Sequence, residues 1–131
     1  MRILIDANVL IDVALSREPF VAESATVLRW AAAGGAAAVA LHSLTTCAYL
    51  LKSGGRDFLS ALLRIVEVAP ITTSDARRAL ALPMADTEDA FQAASALAWQ
   101  ADLIVTRNVW DFRRSPVSAL SPTAFLKKAV N

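Results

Sequence analysis

Ile3-Leu4-Ile5-Asp6-Ala7-Asn8 is a short aliphatic run closed by a carboxylate, and Leu103-Ile104-Val105 near the other end passes likewise into Thr106-Arg107-Asn108 and then Asp111. Unbroken aliphatic runs of this length mark strands buried on both faces. In an open α/β sheet, ligands bind in the crevice beyond the carboxyl ends of the strands. A third acidic group, Asp86-Thr87-Glu88-Asp89, opens the apolar stretch from Ala90 to Ala98. If the two strands are parallel neighbours, the three acidic points converge. Crowded carboxylates repel unless a cation or a raised pKa relieves them, and hard oxygen donors suit Mg2+ or Mn2+.

Working outward, Arg2 to Ile5 reads as the first strand and Asn8 to Leu15 as a short helix. Val21, Ala25, Leu28 and Ala32 recur at helical spacing in a helix from Phe20 to Ala33, stopped by Gly34-Gly35. Ala36 to Leu41 follows as a second strand, on the strength of its place after the double glycine. A helix over Thr45 to Lys52 stops at Gly54-Gly55, and Leu59, Leu62, Leu63 and Val66 mark another from about Asp57. A third strand spans Val66 to Ile71, and Ser74 caps a helix that runs to Leu82 before Pro83. Asp86 caps the long helix to Gln100, Leu103 to Thr106 is the fourth strand, Val117 to Leu120 the fifth, and Pro122 to Val130 a closing helix. Strands alternating with helices predict a mostly parallel sheet in an α/β domain.

A chain of 131 residues is about one domain, and no linker divides it. The composition is 56% hydrophobic and 19% charged, which calls for helices on both sheet faces or a large interface, so a homo-oligomer, a dimer in the simplest case, is expected. The lone Cys47 excludes an internal disulfide and fits a reducing cytoplasm, as a small core residue. Asp6, Asn8 and Asp12 interrupt any secretory core, and Ala31 to Leu41 is too short and too broken by glycine to span a membrane, so a soluble, cytoplasmic protein is expected. A net charge of +1 provides no global field for nucleic acid, and binding would need local basic residues.

The residue chemistry sharpens the site. At about 100° per residue, Asp86, Asp89, Ala93, Ala96 and Leu97 share one face of the long helix, and Glu88, Gln92, Ser95 and Trp99 the opposite one. The small apolar face is expected against the sheet, aiming Asp89 at the strand ends and turning Glu88 to solvent or to an orienting role. Asp86 serves as a cap and as a further ligand. Asp6 follows a buried strand, where a lone charge is costly without a partner or cation. Asn8, Thr106 and Asn108 are placed to orient the acids. Arg107 and Arg113 beside Asp111 are candidate phosphate contacts, since arginine forks bind phosphate. His42, the single histidine, reads as structural.

Together, Ile3-Leu4-Ile5-Asp6-Ala7-Asn8-Val9-Leu10, the segment from Asp86 to Ala94, and the segment from Ala101 to Phe112 resemble the PIN-domain family over almost the whole chain. The resemblance implies a flavodoxin-like three-layer α/β/α sandwich and a ribonuclease dependent on Mg2+ or Mn2+. Among short bacterial members of the VapC type it implies a toxin restrained by an antitoxin protein. Carried over by position, Asp6, Asp89 and Asp111 are the implied catalytic and metal-binding acids. Two departures stand out. No Asp or Glu occurs between Glu23 and Asp57, leaving Thr45, Thr46 and Tyr49 in the helix that carries the family's second acid. Asn108 stands where the family most often has aspartate. The alternative reading is a catalytically silent module of the same fold that binds RNA or a protein. A receiver-like phosphorylation domain is excluded by Pro70-Ile71-Thr72 and Ser121-Pro122, which occupy the places of its aspartate and lysine. A strand-end aspartate phosphatase is disfavoured by Asn8 in the position of its second acid.

Overall fold

Strands with aliphatic side chains on both faces need helices on both faces, and residues i and i+2 of each strand must meet the same layer. The computed structural model, which describes residues 1–130, meets this requirement with five strands. They are β1 (Arg2–Ile5), β2 (Ala36–Ala40), β3 (Glu67–Ala69), β4 (Leu103–Val105) and β5 (Ala119–Leu120). The order is β3-β2-β1-β4-β5, and every neighbouring pair is parallel. Seven helices surround the sheet: α1 (Ala7–Ala14), α2 (Val21–Ala32), α3 (Leu41–Leu51), α4 (Gly55–Leu62), α5 (Thr73–Ala81), α6 (Thr87–Ala98) and α7 (Pro122–Val130).

Ile3, Ile5, Val39, Leu103 and Val105 pack on one side with Val9 and Leu10 of α1, Val27 of α2, Cys47 of α3, Leu62 of α4 and Phe125 of α7. Leu4, Ala38, Ala69 and Ile104 pack on the other with Ala93 and Ala96 of α6, Trp99, Phe112 and Val117. Helix α5 joins that second layer through Ala79, which meets Ala90 and Ala94 of α6. The expected three-layer α/β/α sandwich with a parallel sheet is therefore the observed architecture. Cys47 lies in the core, where burial pushes its thiol up to about 11. Among the described residues no helix is long and apolar enough to cross a membrane.

The chain proceeds from β1 through β2 to β3 at one edge, then returns through α5 and α6 to β4 on the other side of β1. The strand order thus reverses between β1 and β4, and the crevice at their carboxyl ends is the topological switch point of the sheet. Val105 O accepts a 2.9 Å hydrogen bond from Asp6 N, so the two strand ends are level with one another.

Three expectations need correction. Helix α3 begins at Leu41 rather than Thr45, directly after β2, because no glycine, proline or capping side chain separates the two elements. This places His42 in its first turn. Helix α5 is capped by Thr72 rather than Ser74, since only Thr72 forms the reciprocal capping box with Asp75. The α6 face bearing Gln92, Ser95 and Trp99 is buried as fully as the alanine face: the Gln92 amide donates to Ser43 Oγ of α3 at 2.5 Å. The middle of α6 is buried by the sheet, α5 and α3, and its exposed residues, Thr87 and Glu88, lie in the amino-terminal turn.

The junction of α2 and β2 relies on two glycines for different reasons. Gly34 has φ +108°, a left-handed conformation that ends the helix without steric cost. Gly35 lies against the Trp30 ring, leaving no room for a Cβ. Trp30 in turn meets the ring of Phe125 edge-on, with centroids 5.1 Å apart. Gly35→Ala is expected to push Trp30 off Phe125 and to cost about 1–3 kcal/mol. Urea denaturation of the variant, read by tryptophan fluorescence, checks this.

Candidate functional site

The strand ends deliver Asp6 and Thr106. Asp6 caps α1, with Oδ1 accepting from Ala7 N at 2.8 Å, and only 5% of the residue is exposed. Its Oδ2 accepts a 2.7 Å hydrogen bond from the buried Thr106 hydroxyl and a longer one, 3.4 Å, from Asn8 Nδ2. Asn8 Nδ2 also donates to Thr106 Oγ1 at 3.3 Å, while Asn8 Oδ1 accepts from Arg107 N at 3.3 Å. Asn8 and Thr106 therefore hold the Asp6 carboxylate in one orientation. Asn108 contributes its backbone: its N–H donates to Thr106 Oγ1 at 3.0 Å, and the residue itself is exposed.

Above this pair stands the amino-terminal turn of α6. Asp86 Oδ1 accepts from Asp89 N at 3.0 Å, the expected cap. One carboxylate oxygen from each of Asp86, Glu88 and Asp89 lies within 4.8 Å of the others. Asp111 follows β4 in a 3-10 turn, Val109–Phe112, and joins Asp86 and Asp89 in lining a cleft of about 160 Å³. Arg113 and Arg114 line the same cleft. The three acidic points of the sequence thus meet at one end of the sheet. Asp86, Asp89 and Asp111 share the cleft, and Asp6 lies buried at the end of β1, within electrostatic reach of Glu88 and Asp89.

The mutual repulsion is visible in the acids themselves. Asp89 is pushed up to about 7, first by burial and then by the charges of Asp86, Glu88 and Asp6. Burial holds Asp6 above the usual carboxylate range against the opposing hydrogen bonds from Thr106 and Ala7, and Glu88 adds to the shift. Glu88 moves the other way, because the His42 imidazole of α3 lies against it, Nε2 to Oε1 3.2 Å. Asp86, Asp89 and Asp111 line the cleft and Asp6 and Glu88 stand beside them, so that five carboxylates, two of them resisting ionisation, form a hard oxygen donor set that suits a divalent cation.

Two expectations from the sequence change here. Arg107 is not free to hold phosphate: its fork closes on the fully buried Asp12, Nε to Oδ2 2.6 Å and Nη2 to Oδ1 3.1 Å, and its guanidinium stacks on Phe20 at 4.0 Å. The physical reason is that Asp12, on the inward side of α1, has no water and must be paired. Arg113 remains at the cleft, with its guanidinium over the Trp110 ring at 4.4 Å. Glu88, expected to face solvent or to orient other groups, is exposed and joins Asp86 and Asp89 in the acidic turn, while His42, read as structural, pairs with it. The signal for Glu88 was its place in the acidic turn, while nothing local marked His42.

The chain matches the family model described as PIN domain over residues 2–110, and it belongs to the PIN-domain family. No curated protein sequence matches it significantly. Among solved structures it is similar to VapBC2 from Rickettsia felis bound to a DNA fragment from their promoter, at 18% identity and a TM-score of 0.73, covering 92% of this chain and 98% of that one. It is also similar to a toxin-antitoxin complex from Klebsiella pneumoniae, at 23% identity and a TM-score of 0.69, covering 91% and 96%. A third likeness is to VapBC-1 from nontypeable Haemophilus influenzae, at 14% identity and a TM-score of 0.63, covering 94% and 99%. At these identities the likeness establishes the shared fold.

Two outcomes follow from the site's energetics. Arg107→Ala leaves the buried Asp12 without its cation, with only a 3.3 Å hydrogen bond from Ser24 Oγ, and is expected to cost roughly 3 kcal/mol in chemical denaturation, whereas Arg107→Ala combined with Asp12→Asn recovers part of that loss. Between 3.8 and about 7, Asp89 in the folded chain holds a proton that the unfolded chain has released. Its contribution to stability therefore falls as pH rises through that window and is level above it. Asp89→Asn is expected to exceed the wild type in denaturation midpoint at about pH 8, and the gap is expected to narrow as pH falls through the window and to close only near its lower end, at about pH 4.

Proposed function

We propose that this chain is a divalent-metal-dependent endoribonuclease, using Mg2+ or Mn2+, and the toxin of a pair whose partner is an antitoxin protein. The observation that carries the reading is the convergence of Asp6, Asp86, Glu88, Asp89 and Asp111 at the switch point of a PIN-domain sheet. Membership of the family supports nuclease chemistry, and the Klebsiella pneumoniae neighbour, a toxin-antitoxin complex, supports the pairing.

Asp6, Asp89 and Asp111, with Asp86 beside them, are the residues that would hold the ion. Bound there, a divalent cation supplies an activated water and neutralises charge on the phosphate oxygens. Asp6 is held ready for that role by Thr106 and Asn8, which fix its oxygens before any ion arrives. Asp89, pushed up to about 7, gives up its proton more readily when a cation offsets the charges of its neighbours. Arg113 and Arg114 put positive charge at the mouth of an otherwise acidic cleft, where a phosphodiester must enter. Trp110, 72% exposed beside Asp111, offers a ring on which an unpaired base stacks, which favours single-stranded RNA.

The reading is tested with purified, antitoxin-free protein and labelled RNAs in Mn2+ or Mg2+, against EDTA controls. Asp6→Asn and Asp89→Asn are each expected to lower cleavage by at least about a hundredfold while the protein stays folded by circular dichroism. Thr106→Val is expected to lose about 10- to 100-fold by misorienting Asp6. Full activity in EDTA, or in Asp89→Asn, overturns the assignment.

A further inference from the structure

The turn that carries Asp111 also borders a second hollow, of about 350 Å³, against the edge of the sheet. Ser118 and Ala119 line it from β5, an edge strand bonded only to β4. Ser118 O and Leu120 O accept from Ile104 N and Thr106 N of the β4 end, at 2.8 and 3.0 Å. Ala119, between them, therefore turns its own N–H and C=O off the edge of the sheet. Trp110 and Arg113 line the same hollow from the turn. Arg113 lies over one face of the Trp110 ring, 4.4 Å from its centroid, and is held there as its Nη1 donates to Trp110 O at 3.1 Å. With 72% of Trp110 exposed, the other face of the ring stands open. The buried Phe112 anchors the turn in the core. Arg113 lines the acidic cleft as well, so the hollow adjoins the place where a phosphate would be cut.

We propose that this hollow is a base subsite: one unpaired nucleobase of the RNA stacks on the open face of Trp110 and sets its edge against the Ala119 N–H and C=O and the Ser118 hydroxyl, while its phosphate meets Arg113. The inference rests on the RNA-cleaving reading above and adds to it the place where a base beside the cut is held. A base edge presents donors beside acceptors, which one outward N–H and C=O pair can match, and its faces stack on aromatic rings. A partner's β-strand needs a row of such pairs, and β5, two residues long, offers one. Pairing in a duplex hides both the face and the edge of a base, so the hollow selects single strands.

The test reads binding apart from cleavage. Asp89→Asn protein in Mn2+, which is expected not to cut, is titrated with labelled single-stranded RNA oligonucleotides in which one abasic site is walked along the strand, and anisotropy gives the affinity. Loss of the base at one position is expected to weaken binding about tenfold, with little change elsewhere. Trp110→Ala in the same background is expected to bind about tenfold more weakly and to ignore that abasic site. Ala119→Pro, which deletes an N–H that faces off an edge strand, and Ser118→Ala are expected to flatten the preference among the four bases at that position. Equal sensitivity along the strand, or a position-specific loss that persists in Trp110→Ala, overturns the subsite and leaves the nuclease reading intact. Position-specific binding beside a wild type that cuts no RNA supports the subsite and overturns the nuclease reading. No binding overturns the subsite, and joined to no cleavage by the wild type it overturns both. The abasic walk alters nothing in the hollow and stands even where a variant there does not fold.

Discussion

The hydrogen bond from the Thr106 hydroxyl to Asp6 Oδ2, 2.7 Å long and wholly buried, joins the carboxyl ends of two strands that lie a hundred residues apart in the chain. Everything at this end of the molecule is arranged around it. A carboxylate removed from water is expensive unless its oxygens are occupied, and here the α1 backbone, a threonine and an asparagine occupy them. Those bonds hold the acid in one orientation and fix the crevice between β1 and β4. Arg107, the next residue along, anchors the same loop from below by pairing with Asp12, so that the acid at the site and the acid in the core are satisfied by neighbouring residues of one strand end.

The second constraint is repulsion that the fold does not relieve. Asp86 and Asp89 would serve α6 adequately as a cap and a first-turn acid. Enclosure of the rest of α6 by the sheet, α5 and α3 holds that turn, Glu88 included, over the strand ends and beside the buried Asp6. Burial first, and then the charges of Asp86, Glu88 and Asp6, raise the pKa of Asp89. A domain selected for stability alone has no use for such a turn, and sites where like charges are held together are where catalytic chemistry is expected.

Much of this was legible in the residues because it is local. Aliphatic runs of three or four residues specify buried strands, Gly34-Gly35 stops a helix, and Asp86 before an alanine-rich stretch starts one. The acidic positions follow from where those elements end. What the local pattern mistook were junctions with weak punctuation. The passage from β2 into α3 carries neither glycine nor proline, so the helix start was read four residues late, and the place of His42 in its first turn, against Glu88, was not seen. Thr72 outcompeted Ser74 as a cap because only it has an acid three residues on to return the hydrogen bond.

The sequence by itself determined the layered α/β architecture, the parallel sheet and the three acidic segments, since strand and helix periods and capping chemistry act over a few residues. Only the tertiary structure decided which side chains meet. Arg107 faces Asp12 across 95 residues, and His42 of α3 faces Glu88 of α6. Such pairings depend on strand register and on the rotation of each helix about its axis. Both are set by the packing of the whole core, in which a one-residue shift moves a side chain to another face.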